Sequence, residues 1–175
     1  VEPNPRVDTV ESGVDRVESG DRDGVVGIGG GSSMDTAKAI AGRTTNGGTI
    51  ADYEGLQNFA VEPLPTVTVP TTIGTGSEVT SAAVITDPDR DEKLGILDDN
   101  LIPDVALLDP TLLESLPSDV AASTGMDCLT QSVMAYLSTN ANPITDALTK
   151  AAVEMISENL PAAVAKKDLD ALMNM

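Results

Sequence analysis

The sequence has no histidine, no tryptophan and a single cysteine, Cys128. Its aromatic side chains are three: Tyr53, Phe59 and Tyr136. Without histidine there is no imidazole general base, no Ser-His pair and no histidine metal ligand on this chain. One cysteine excludes an internal disulfide and suits a reducing cytoplasm, the expected location. Basic residues are scarce as well, 10 Lys and Arg against 28 Asp and Glu for a net charge of −18. That balance argues against a nucleic-acid partner, which needs a basic patch to meet phosphates. No stretch approaches the roughly 18 consecutive apolar residues of a membrane span, so no membrane partner is expected. Val1-Glu2-Pro3-Asn4-Pro5 has neither a basic start nor an apolar run, and no secretory signal is expected there.

What is present is enough for a packed fold. The 175 residues are 41% apolar, and roughly 100–200 residues make one domain. With so few aromatics, the core must be built from Ala, Val, Leu, Ile and Met. The acid excess reads as a solvated, halophile-type surface whose self-repulsion salt would screen, or as an acidic binding face.

Val7, Val10, Val14 and Val17 recur at helical spacing and predict an amphipathic first helix. Val25-Val26-Gly27-Ile28 has the pattern of a short buried strand. Gly29-Gly30-Gly31-Ser32 follows, and Met34–Ala41 reads as helix, so strand, glycine loop and helix form the first half of a βαβ unit. Residues 42–63 are rich in Gly, Asn and Thr and predict a surface loop or short helix. Further strands are expected at Thr66–Val69, Ser81–Thr86, Leu94–Leu97 and Val105–Leu108, with a turn at Asp87-Pro88-Asp89-Arg90.

From Ser118 the pattern is helical. Met126, Leu129, Val133 and Leu137 predict one apolar stripe. Asn142-Pro143 opens a second helix with apolar face Ile144, Ala147, Leu148, Ala151 and Met155, expected to end at Pro161. A last helical pattern from Leu169 is expected to leave Leu169, Leu172 and Met173 exposed, giving a partly unstable, salt-dependent fold. The organisation is α/β over 1–115 and helical over 116–175.

Three segments carry candidate chemistry. Glycines between a buried strand and a helix let backbone N–H groups approach an anion, with Ser32 able to cap the helix or donate to a phosphate oxygen. Close strand–helix packing explains the same glycines. The loop keeps neither the Rossmann spacing nor the Gly-Lys-Ser/Thr of a P-loop. A second polar loop, Pro70-Thr71-Thr72-Ile73-Gly74-Thr75-Gly76-Ser77-Glu78-Val79-Thr80, also follows a strand, where α/β folds bind ligands. On the helix after Gly125, Asp127 and Gln131 share a face at i and i+4. Asp127 there requires a helix dipole, a cation or a metal as partner. Cys128 reads as a small buried helix residue.

Taken in order, Gly29–Lys38, Pro70–Thr80, Asp109-Pro110 and Thr124-Gly125-Met126-Asp127-Cys128-Leu129-Thr130 resemble the iron-containing (group III) alcohol dehydrogenases, with this chain as a truncated member. The resemblance implies an N-terminally incomplete, dinucleotide-binding parallel-sheet domain over 1–115 and the start of an all-helical metal and substrate domain over 116–175, with the active site in the cleft between them. It implies NAD or NADP as cofactor, Gly30, Gly31, Ser32 and Asp35 around the pyrophosphate, and Thr71, Thr72, Thr80 and Lys93 along the cofactor groove. It also implies a divalent metal, iron or zinc, held by one Asp and three His. Asp127 matches the Asp, Gln131 occupies the first His position, and Met134 stands where the family usually has Glu. The other two His belong to a region beyond Met175, and a strand-helix-strand portion precedes the Val1 position in the family.

The implied reaction is hydride transfer between nicotinamide and a small alcohol or aldehyde substrate, with no catalytic residue assigned here and weak or no activity expected from this chain alone. The alternative is a non-catalytic fragment that keeps part of the cofactor cradle. A homodimer, or the rest of a split enzyme, is the expected protein partner.

Overall fold

A computed structural model describes residues 1–175 and divides them into two compact units, Val1–Pro70 with Gly76–Leu107, and Thr71–Thr75 with Leu108–Met175. It contains α1 (Val7–Ser19), β1 (Val25–Gly29), α2 (Gly31–Asn46), β2 (Gly55–Leu56), β3 (Thr66–Pro70), β4 (Ala82–Asp87), β5 (Glu92–Leu97), β6 (Val105–Ala106), α3 (Ser118–Leu137), α4 (Pro143–Lys166) and α5 (Leu169–Met173). The fold is α/β with a parallel sheet, followed by helices. No helix is long and apolar enough to cross a membrane.

The first unit holds two sheets. One is parallel, in the order β1-β3-β6, and the other is mixed, in the order β2-β5-β4. β1 runs in register with β3 from Val25 opposite Thr66 to Gly29 opposite Pro70. Parallel neighbours need a crossover, and α2 is that connection, packed on the β1-β3 sheet. Gly27 permits the close approach: a Cβ there would lie 2.7 Å from that of Ala37. The unit's core joins Val10 and Val14 of α1, Ala39 of α2, Ile50, Phe59, Ala83, Ile85, Ile96 and Leu101.

Several expectations from periodicity require correction. β1 is buried on one side only, for Val26 and Ile28 are 61% and 62% exposed on the other. Residues 42–63 include a short helix, one of the two expected forms, but are not at the surface throughout. α2 continues to Asn46, a 3-10 turn spans Ile50–Tyr53, and Ile50 and Phe59 are core residues. The Phe59 ring stacks on Tyr53 at 4.5 Å, and its amide donates to the buried Asp98 carboxylate. Buried Asp98 satisfies the Phe59 amide inside the core, while half-buried Asn46 accepts from the amides of exposed Ala60 and Val61.

In the second unit, Ile73, Leu113, Leu116, Ala121, Ala163, Ala171 and Leu172 form the core. α4 has the expected start, with the Asn142 side chain accepting from the Ile144 and Thr145 amides. It does not end at Pro161 but runs to Lys166. Proline removes one ladder bond, and packing of Leu160, Ala162, Ala163 and Val164 into the core offsets that loss. The expected apolar stripes are also on the wrong face. Met126, Val133 and Leu137 of α3, and Ile144, Leu148 and Met155 of α4, are exposed. The buried positions are Ala121, Gly125 and Ser132 of α3 and Thr149, Ile156 and Ala163 of α4. Small residues let the two backbones approach, and Gly125 sits directly under the Leu160 side chain. At the end of the chain Leu169 and Met173 are exposed as expected, but Leu172 is 3% exposed and part of the core, which anchors α5. The Asp168 side chain caps α5 by accepting from Ala171 N–H.

Candidate functional site

The glycine loop lies at the carboxyl end of β1, and α2 begins at once from it. Gly30 is the N-cap residue in extended conformation, and no side chain caps the helix. Ser32 therefore lies inside the first turn instead of capping it, with its carbonyl accepting from Thr36 Oγ1 at 2.7 Å. The first amides of α2 carry the partial positive charge of a helix N-terminus, beside half-buried Gly30, Gly31 and Ser32. Gly29 has φ +147°, and a Cβ on it would collide with the Ser33 side chain. Tight packing is thus visible at Gly27 and Gly29, and the helix start has no side-chain cap.

Asp35 and Lys38 face inward from α2. Met34, Ala37, Lys38 and Ala41 are all buried, at the i, i+3, i+4, i+7 spacing of a core stripe. Lys38 is 1% exposed. Its ammonium donates to the carbonyls of Ser77 at 2.9 Å, Thr80 at 3.3 Å and Ala82, and lies 3.3 Å from Asp35 Oδ1. Burial pushes the Lys38 ammonium below its ordinary value, and the Asp35 carboxylate pulls in the opposite direction. Asp35 accepts from the Ser77 hydroxyl on Oδ1 and from Val84 N–H at 3.0 Å on Oδ2. Its carboxylate is therefore occupied by the segment after β3.

That segment starts a 3-10 turn at Ser77–Val79 behind Gly76, which is left-handed at φ +66°. Thr80 is exposed at its end, with its backbone tied to Lys38. Glu78, buried at Oε2 without a hydrogen-bond partner, faces the same cluster and adds negative charge near Lys38. Lys93 is exposed on β5, opposite Thr86 of β4. Thr71 and Thr72 belong to the second unit, where Thr72 Oγ1 is buried without a partner.

Sequence reasoning missed Ser77, Glu78 and the inward role of Lys38. One signal was available for Lys38: it occupies an apolar slot of the α2 core stripe.

On α3, the Asp127 carboxylate is exposed and accepts from Gln131 Nε2 at 2.7 Å. Half-buried Cys128 lies beside it, its carbonyl accepting from Ser132 Oγ. No group of three or more His, Cys, Asp or Glu is arranged to hold a metal ion. One carboxylate already bonded to a neutral amide does not fit a first-row divalent ion, which favours imidazole and further anionic ligands.

Residues 1–110 match the family model of iron-containing alcohol dehydrogenases, and residues 121–175 match the C-terminal model of the Fe-containing alcohol dehydrogenase family. Alcohol dehydrogenase 4 of Schizosaccharomyces pombe is 45% identical over all of this chain. The NAD-dependent methanol dehydrogenase of Bacillus methanolicus is 44% identical over 97% of it. The chain spans 42% and 45% of the length of these two relatives. Among solved structures, sulfoacetaldehyde reductase from Bifidobacterium kashiwanohense in complex with NAD+ superimposes with a TM-score of 0.90 at 37% identity, over 99% of this chain and 46% of the other.

Proposed function

The chain belongs to the iron-containing alcohol dehydrogenase family, and on that premise we propose that it supplies the dinucleotide cradle of an NAD(P)-dependent oxidoreductase acting on small alcohols or aldehydes. The observation that carries this reading is the uncapped start of α2 at the carboxyl end of a parallel strand, where α/β folds place ligands and helix amides favour anions. Gly30, Gly31 and Ser32 would hold the pyrophosphate through backbone N–H groups and the Ser32 hydroxyl. Asp35 would support that turn from inside, through Ser77 and Val84. Thr80 and Lys93 would offer a hydroxyl and a cation to the same ligand; Thr71 and Thr72, in the second unit, are proposed groove residues, and the Thr72 hydroxyl oxygen is without a partner.

When bound, nicotinamide exchanges hydride with the alcohol or aldehyde carbon; the chain's own residues bind and orient. Asp127 with Gln131 does not supply a fitting metal site, so no step is assigned to metal here and turnover by this chain alone is weak or absent. A second reading, a non-catalytic fragment that retains dinucleotide binding, draws on that same donor set. The single cysteine fits a reducing, cytoplasmic setting.

The test is NADH titration followed by nucleotide fluorescence at high salt, with NAD(P)H oxidation by short aldehydes measured with added ferrous or zinc ion. Saturable binding without turnover is expected. Absence of binding refutes the cradle, and clear metal-dependent turnover refutes the assignment of weak activity.

A further inference from the structure

We infer that Lys38, braced by Asp35, is the positioning residue of the cradle: a buried ammonium that fixes the Ser77–Ala82 segment and so sets how Thr80 is presented. The inference rests on the reading of this region as the dinucleotide cradle and adds to it a residue that need not touch the ligand.

The geometry supports it at three levels. First, the ammonium has three N–H donors and meets three carbonyls, from Ser77, Thr80 and Ala82, so its capacity is filled by one short stretch of chain. Second, Thr80 and Ser81 of that stretch lie outside regular structure. Thr80 lies between the 3-10 turn and the first residue of β4, and without Lys38 its inward carbonyl would lose its charged donor. Third, Asp35 binds the first residue of the segment, Ser77, by its hydroxyl and Val84, two residues past its end, by its amide, while neutralising the ammonium. Asp35 and Lys38 are i and i+3 on α2, so one helical turn carries both groups. The turn that begins α2 and the turn that carries Thr80 are thereby held to the same rigid helix. Lysine suits this role better than arginine, since a compact ammonium can meet three convergent carbonyls and a planar fork cannot.

A positioning role and a purely stabilising one differ in what they move. The full chain is compared with Lys38→Met and Asp35→Asn at high salt, at a temperature where circular dichroism shows each folded. Amide hydrogen exchange is read by mass spectrometry on peptides covering 76–84 and on α1. For Lys38→Met, exchange in 76–84 should accelerate and NADH affinity should fall, each by about tenfold, the scale of one charge-assisted hydrogen bond, with α1 unchanged. Unchanged protection of 76–84 overturns the proposal. So does NADH affinity equal to that of the unmodified chain, and so does protection lost evenly across the first unit. If Lys38→Met fails to fold, Asp35→Asn keeps the ammonium and should show smaller changes in the same two readouts; no change in either overturns the proposal. Failure of the unmodified chain to bind NADH refutes the cradle itself, and the cofactor-positioning role with it. That outcome is distinct from binding that persists undiminished in Lys38→Met.

Discussion

Gly74 offers a quantitative test of how tightly the segment after β3 is built into the second unit. Its φ is +84°, and a Cβ there would lie 2.5 Å from the Thr124 carbonyl oxygen and 2.9 Å from Cys128 Cβ. Neither obstacle is the loose end of a side chain: one is α3 backbone and the other a Cβ. Gly74→Ala should therefore cost about 1–2 kcal/mol for the left-handed backbone and about 1–3 kcal/mol for overpacking. The sum, about 2–5 kcal/mol, is a large part of the roughly 5–15 kcal/mol that holds a typical domain together. Gly47 provides the control, because its φ is +75° and a methyl group on its Cα would meet nothing within 4 Å. Gly47→Ala should cost only the backbone strain, about 1–3 kcal/mol for its φ of +75° and ψ of −168°. Urea unfolding at fixed high salt, followed by far-ultraviolet circular dichroism, gives both values, and hydrogen exchange assigns each loss to its unit. If the two variants lose the same stability, or Gly74→Ala loses less, the close contact with α3 is refuted.

Other expectations follow from burial and charge. Ile85 is fully buried on β4 and its neighbour Val84 is 43% exposed. Ile85→Ala should cost about 2–5 kcal/mol in denaturant unfolding, and Val84→Ala within about 0.5 kcal/mol. Equal losses would refute the strand's assigned faces. The Asp109 carboxyl is held below its ordinary value by the Thr111 hydroxyl and then by the Thr111 amide. Its folded-state value is depressed, so the contribution is present above the ordinary aspartate value and lost as pH falls through the folded one. Thr111→Ala should raise the titration midpoint of Asp109, measured by carboxyl NMR; an unmoved midpoint would count against the hydroxyl as the main cause. With 28 acids and 10 bases, the unfolding midpoint should rise steeply with sodium chloride as screening weakens self-repulsion. A midpoint independent of salt would remove the halophile-type reading of the surface.

The strand, glycine loop and helix at Val25–Ala41 were legible because each signal is local: a short β-branched run, flexible residues, then helical spacing. The starts of α1 and α4 were legible for the same reason, Val7–Val17 by periodicity and Asn142-Pro143 by capping chemistry. The α3 and α4 stripes misled because periodicity identifies an apolar face but not which face a neighbour covers. Here Gly125 and Ala163, being small, were buried and the larger residues left outside. Pro161 misled because a local helix breaker was outweighed by packing around Leu160 and Ala163.

The candidate site divides along the same line. Absence of histidine follows from the sequence alone, and so does the pairing of Asp127 with Gln131 on one helix face, since i and i+4 are neighbours on any α-helix. The inward turn of Asp35 and Lys38 does not, for their partners lie 39 to 49 residues away along the chain. Sequence determines what each residue can donate, accept or bury. Tertiary structure decides whether that capacity is left without a side-chain partner, as at the start of α2, or consumed by the fold, as at Lys38. A buried hydrogen bond is made by whichever distant group the packing brings within about 3 Å, and local pattern carries no record of that group.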